Sequence, residues 1–338
     1  MNIPYRTRQA LKRLVVVLLI LAVLAVAVWL CWLLWLGRYV VYTRDGAVID
    51  MDRSSQDITG ELAVPPDEEG GIEVYYNEGQ EAAEKSTELG QIIGYYITTS
   101  DLEGDLTELR QELRNLPAGS AVMVEVKNSF GSLFYNSAAS EFRPEGVDVQ
   151  AVDKLLRDMN EMDLYTIARL PALRDYSFGL NYTYNGLAHP GGYLWADEDY
   201  RYWLNPAKEG TVSYLASIGL ELREMGFDEV VYFDFHFPDT ENIVFSGDKT
   251  EALAIAAQTL VTTCSNSFFA VSFEGSELFT QPEGRTRVYL RDVDALALEE
   301  AVLNSGVENT KVQLVFVTST YDTRFEEYGV LRPIEGAH

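Results

Sequence analysis

From Gln91 onward, short apolar runs alternate with stretches whose apolar residues recur at helical spacing. Ile92–Thr98, Ala121–Val126 and Leu164–Leu170 read as the first three strands. Glu229–Phe235, Phe268–Phe273, Val288–Leu290, Val312–Thr318 and Gly329–Leu331 continue the series. Leu106, Leu109, Leu113 and Leu116 fall on one helical face, and Val149, Val152, Leu156 and Met159 fall on another. Leu215, Ile218, Leu222 and Met225 mark a helix that stops at Gly226, and Thr250–Cys264 and Asp294–Leu303 also read as helical. Strands and helices taken in turn predict a parallel sheet with helices outside. Seven or eight such units over about 245 residues favour an α/β fold closed as a (β/α)8 TIM-type barrel over an open sheet. No strand is followed by G-x-G-x-x-G or a Walker A sequence, which counts against a nucleotide-binding doubly wound fold.

The pattern before Gln91 is different. Leu14–Leu36 is an uncharged apolar run long enough for a hydrocarbon core of about 30 Å. Trp29, Trp32 and Trp35 gather at its far end, where indoles favour an interface. Arg6, Arg8, Lys12 and Arg13 precede it and only Arg38 follows closely. That asymmetry predicts an uncleaved signal anchor with residues 1–13 in the cytoplasm and the rest outside a single-pass cell membrane. Tyr39–Met51 alternates apolar and polar residues around Asp45-Gly46, a hairpin signal. Asp52–Gly90 is polar and acidic, with Pro65-Pro66 and Gly70-Gly71, and reads as a linker. The expected organisation is therefore a basic N-terminus (1–13), an anchor (14–36), a hairpin plus linker (37–90) and a barrel domain (91–338).

Charge narrows the partners. The chain of 338 residues has a net charge of −26, and four of its 26 bases precede the apolar run. The remainder sets 22 bases against 52 acids. Such a surface disfavours nucleic acid and anionic lipid as partners. The two cysteines, Cys31 in the apolar run and Cys264 at the end of a predicted helix, are not placed to pair, and Cys264 reads as a small buried residue. The histidines, His189, His236 and His338, form no metal-ligand spacing and no G-x-S-x-G is present, so no metal and no cofactor are expected.

Chemistry is expected at the C-terminal ends of the strands, which in a barrel share one pocket. Tyr95, Tyr96, Glu125, Lys127, Arg169, Arg174, Asp234, His236 and Glu274 fall there. Asp234 and Glu274 stand out because glycoside hydrolysis needs two carboxyl groups, one as nucleophile or base and one as an acid of raised pKa. Arg169 nearby is expected to keep Asp234 ionised. The competing reading makes Asp234 a helix cap or an arginine partner that serves folding alone. The loop Ala188–Pro206 holds Tyr193, Trp195, Tyr200, Tyr202 and Trp203; these rings suit a sugar, or else form the loop's own small core. The candidate catalytic residues are thus Asp234 and Glu274. The candidate substrate-binding residues are Tyr96, Glu125, Lys127, Arg169, Trp195, Trp203 and His236.

Six stretches in order carry a family resemblance: Gly94-Tyr-Tyr-Ile-Thr98, Val124-Glu-Val-Lys-Asn128, Tyr165-Thr-Ile-Ala-Arg-Leu170, Gly192-Tyr-Leu-Trp195, Trp203-Leu-Asn-Pro206 and Gly226–Pro238. The chain resembles the glycoside-hydrolase-like barrel domain of bacterial surface and spore-former proteins, a relative of α-amylase-type barrels. The resemblance implies a (β/α)8 barrel and a sugar-related role, with Asp234 at its motif's acidic position. The family's fourth-strand motif continues Phe-Asp-Tyr with an aliphatic residue and then Arg-Phe-Pro, whereas this chain places His236 within that stretch and lacks the arginine. Its Asp-Val-Lys-Asp is represented here by Glu125 and Asn128, and Glu274 falls where the family tends to have Asp. Three functions stay open: a membrane-anchored hydrolase of cell-envelope polysaccharide, a non-catalytic glycan- or protein-binding relative, and an envelope scaffold. The oligomeric state is not legible in the sequence.

Overall fold

A computed structural model describes residues 40–43, 46–49, 88–275 and 281–334. The chain divides into two compact units, Met1–Glu78 and Gly79–His338. In the first, Val40–Thr43 pairs antiparallel with Gly46–Ile49, and Gly46, expected in the turn, instead opens the second strand opposite Thr43. The expected basic N-terminus, the expected membrane span 14–36 and most of the expected linker lie outside the described residues. Among the described residues no helix is long and apolar enough to cross a membrane.

The second unit is a closed barrel of eight parallel strands. They are β1 (Ile93–Ile97), β2 (Ala121–Glu125), β3 (Tyr165–Pro171), β4 (Glu229–Phe233), β5 (Ala270–Glu274), β6 (Val288–Arg291), β7 (Leu314–Val317) and β8 (Gly329–Pro333). Each pairs with its sequence neighbour, and β8 closes on β1 through Leu331 opposite Gly94. The outer helices are α1 (Leu106–Asn115) after β1, α2 (Val149–Asn160) after β2, α3 (Glu209–Glu224) after β3, α4 (Lys249–Cys264) after β4 and α5 (Leu298–Asn304) after β6. Among the described residues no helix stands between β5 and β6, and a single 3-10 turn, Thr323–Glu327, stands between β7 and β8.

Local chemistry sets these boundaries. Asp105, Asp148 and Asp248 cap α1, α2 and α4, each accepting from a backbone amide of the first turn that has no partner inside the helix. α3 ends at Gly226, whose φ of 101° is open to glycine at no steric cost, and β4 begins three residues later. On α1, Leu109 and Leu113 point inward and are buried, and on α2 Val152, Leu156 and Met159 do the same. Each such side chain contributes about 1.5–3 kcal/mol by leaving water.

The barrel's interior forms a second apolar cluster, with Met123, Ile167, Val231, Tyr289, Val315 and Leu331 at its centre. Side chains alternate along a strand. The residues two before these therefore point inward at the N-terminal end, and the residues two after point inward at the C-terminal end. At the N-terminal end that layer is polar. Glu229 and Arg287 form a buried ion pair, 0% and 1% exposed at the side chain. Tyr165 Oη and Ser272 Oγ donate to Glu229 at 2.9 Å and 2.5 Å, and Arg287 donates to the carbonyls of Gly90 and Val312, each at 3.0 Å. This plug ties β3, β4, β5 and β6 together beneath the apolar layer.

Candidate active site

At the C-terminal end the alternation puts Glu125, Arg169, Phe233, Glu274 and Arg291 on the inner face of five consecutive strands, β2 to β6. Arg169 is central. Its Nε and Nη2 donate to the two carboxylate oxygens of Glu274 at 2.6 Å and 2.7 Å, and its Nη1 donates to Glu125 Oε1. The guanidinium also lies over the Phe233 ring, 3.6 Å from its centroid. Glu125 Oε2 accepts from Thr99 N at 3.3 Å, which fastens the start of the short helical turn Thr99–Leu102 to the barrel rim. Arg291 stands opposite, its Nε 3.6 Å from Glu274 Oε1, its Nη2 3.9 Å from Glu125 Oε1, and its guanidinium 5.0 Å from the Tyr96 ring centroid. Burial raises the Tyr96 hydroxyl above its ordinary pKa, and the Arg291 charge opposes that shift.

Asp234 is the first residue after β4 and has a left-handed φ of 51°. Aspartate accepts this conformation better than most side chains, and such positions recur at functional sites. Burial pushes its carboxyl pKa up; Arg174, His236 and Arg169 pull it down and Glu274 adds to the rise, leaving it raised. Arg169 does pull Asp234 toward its ionised form, but it is one of three such charges and burial outweighs them. The arginine's donors are spent on Glu274 and Glu125, and desolvation prevails at Asp234. Asp234, Glu274 and His236 line one cleft of about 470 Å³, together with Arg291 and, from α5, Glu300 and Asn304.

The segment between β3 and α3 reaches this site at His236, through Trp203. Arg174 pairs with Asp197 and Asp199, each at 2.6 Å. Burial alone would raise Asp197, but hydrogen bonds from Arg174, the Arg201 amide and the Trp203 indole hold it below the usual carboxylate range. Trp203 is 6% exposed and packs 5.0 Å from His236, with Trp195 6.5 Å away. Trp203 is thus packed between His236 and Trp195, and its buried ring is not a free platform. His236 Nδ1 sits 3.0 Å from the Phe237 carbonyl, so Nδ1 carries the proton in that bond and Nε2 remains for other partners. Lys127 stands apart. It is fully buried, 2.7 Å from the equally buried Asp175, and also donates to the Pro171 carbonyl at 3.0 Å. Tyr214 donates to Asp175 from α3 at 3.0 Å, so this pair binds β2 to the loop and to α3 and has no open face toward a ligand.

Among the expected residues, Glu125, Arg169 and Glu274 form one hydrogen-bonded network, with Tyr96 reached through Arg291. Asp234 and His236 share the cleft with Glu274; Trp203 packs behind His236 with Trp195 beyond it, and Lys127 lies apart. Arg291 and Phe233 were missed. For Arg291 the signal is the alternation Arg287-x-Tyr289-x-Arg291, which puts all three on one strand face, but the apolar run ends at Leu290, one residue short; for Phe233 it is the alternation Glu229-x-Val231-x-Phe233. Among the described residues no group of three or more His, Cys, Asp or Glu side chains is placed to share a metal ion.

The profile of the family described as "Putative glycosyl hydrolase domain" (DUF4015) matches residues 94–269, and the chain belongs to that family. The match runs from β1 to the residue before β5, so it includes Asp234 and stops short of Glu274 and Arg291. No curated protein matches the chain. Among solved structures, a hypothetical protein from Ruminiclostridium thermocellum is 21% identical, with 53% of this chain and 96% of that one covered and a TM-score of 0.46. The GH20 exo-β-N-acetylglucosaminidase of Vibrio harveyi is 8% identical over 68% of this chain and 41% of that one, with a TM-score of 0.47. The glycoside hydrolase domain of PelA from Pseudomonas aeruginosa is 14% identical over 73% and 96%, with a TM-score of 0.42. The chain spans less than half of the Vibrio enzyme. At such low identities and TM-scores these neighbours transfer no residue role.

Proposed function

We propose that this protein is a glycoside hydrolase of the cell envelope, held to the membrane by residues 14–36 with its barrel outside. The observation that carries the reading is the placing of Asp234 and Glu274 on one cleft, the first desolvated and the second ion-paired side-on by Arg169. Desolvation favours a protonated Asp234, the form a general acid needs to protonate the leaving glycosidic oxygen. Glu274, hydrogen-bonded by Arg169 and 3.6 Å from Arg291, takes the part of base or nucleophile and faces the positive charge that develops at the sugar carbon. Arg169 fixes its orientation through two parallel hydrogen bonds. The predicted anchor and its preceding bases support the placement outside the membrane.

A second reading has one observation in its favour. Both oxygens of Glu274 already accept from Arg169, which weakens it as a nucleophile and suits a barrel that binds glycan without cutting it. A glycan array followed by a hydrolysis screen on the array's ligands separates the two. The hydrolase reading expects turnover by the wild type, with Asp234→Asn losing roughly 100-fold or more in rate while binding persists. Turnover that survives Asp234→Asn removes the assignment. Binding by the wild type with no turnover leaves the second reading.

A further inference from the structure

Arg291 differs from the other inward-facing arginines. Arg169 and Arg287 hydrogen-bond to carboxylates at short range. The buried Nε and Nη2 of Arg291 have no hydrogen-bond partner. The nearest acceptors, Glu274 Oε1 and Glu125 Oε1, are 3.6 Å and 3.9 Å away and both already accept from Arg169. One quarter of the Arg291 side chain is exposed, and the residue lines the cleft that holds Asp234 and Glu274. A small rotation of this side chain brings a donor to anything seated there, and a guanidinium offers paired donors that suit an oxygen-rich ligand.

The charge around it selects among such ligands. Leaving Asp234 aside, Glu125, Glu274 and Glu300 share this end of the barrel against Arg169 and Arg291, while Arg174, which also acts on Asp234, is paired with Asp197 and Asp199. A carboxylate, sulfate or phosphate on the ligand adds another negative charge to a partly desolvated acidic site, where like charges repel strongly. A sugar hydroxyl accepts from Arg291 and donates to Glu274 or Glu125, which satisfies both sides of the gap. Resting on the hydrolase-like reading above, we propose that Arg291 is a substrate-binding residue that receives a hydroxyl of a neutral sugar, and that the cleft rejects uronate-bearing glycans.

The test uses the full chain in detergent with Asp234→Asn, so that binding is read without turnover. Matched neutral and uronate-containing oligosaccharides are titrated by calorimetry, with Arg291→Met and Arg291→Lys added in turn. The expected result is preference for the neutral series, a loss of roughly tenfold or more in that affinity with Arg291→Met, and partial recovery with Arg291→Lys, which keeps the charge but not the paired donors. Melting curves report whether each variant is folded; if Arg291→Met is not, Arg291→Lys carries the test, and a neutral-series affinity within twofold of the parent overturns the proposal. So does equal or tighter binding of uronate ligands by the parent. Both of these outcomes leave the hydrolase-like reading standing, whereas failure of the parent to bind any glycan removes that reading and this inference together.

Discussion

Replacing Arg287 by Met leaves Glu229 as a carboxylate with 0% of its side chain exposed and no cation beside it. Its remaining donors are Tyr165 Oη and Ser272 Oγ, and the carbonyls of Gly90 and Val312 lose the guanidinium they accept from. Breaking a buried ion pair from one side costs about 3–5 kcal/mol, because the surviving charge stays desolvated. For a domain of this size each kcal/mol corresponds to roughly 2–4 °C, so melting should fall by about 6–20 °C. Glu229→Leu should cost a similar amount by stranding Arg287. The double variant removes both charges, and its loss should be smaller than the sum of the singles by several kcal/mol, since such pairs often trade evenly with apolar side chains of similar volume. Urea unfolding followed by far-UV circular dichroism measures all four proteins. Single variants that cost less than about 1 kcal/mol, or losses that simply add, would refute the claim that the barrel floor is held by this pair.

Three further outcomes are expected. At Gly94 an added Cβ would lie 1.8 Å from the Ala121 carbonyl oxygen, a backbone atom of the next strand, so Gly94→Ala should force β1 and β2 apart and destabilise the barrel by about 1–3 kcal/mol or more, read by thermal melting. The raised carboxyl pKa of Asp234 means that burial favours its protonated form, so its contribution to stability is full below the ordinary aspartate range near 4 and is lost as pH rises through the folded value. Asp234→Asn should therefore stabilise the fold at pH 7 and have a smaller effect near pH 4; a stabilisation independent of pH across that window would contradict the desolvation account. Burial raises the Cys264 thiol to about 11, so in a Cys31→Ser background a thiol reagent at pH 8 should titrate one group only after denaturation, and rapid reaction of the native protein would overturn its placement under α3.

The barrel was legible because its evidence is periodic. Seven of the eight strands lie within the apolar runs or one residue beyond them, and β8 extends two residues past its run, since a strand buried on both faces needs an uninterrupted stretch of Val, Ile, Tyr and Phe. The helices were legible from their 3.6-residue spacing and their aspartate caps. Asp234 and Glu274 were legible as carboxylates at strand ends. Arg291 was not, because it stands one residue beyond a three-residue apolar run and no local rule marks a charged residue there as inward-facing. Lys127 was misplaced for a related reason. Strand position brought it to the rim, but its partner Asp175 lies 48 positions away in sequence, and no spacing rule reports that contact.

The sequence by itself determined the order of elements, the parallel sheet and the two strand-end acids, because those follow from side-chain spacing along one strand or one helix. Which groups pair across the barrel was decided only by tertiary structure. Closure and register place Arg169 against Glu274 and Glu125 and send Arg287 to Glu229, and they leave Asp234 desolvated beside them. Charge state depends on neighbours and on water excluded by distant segments, and neither is written at any one position of the chain.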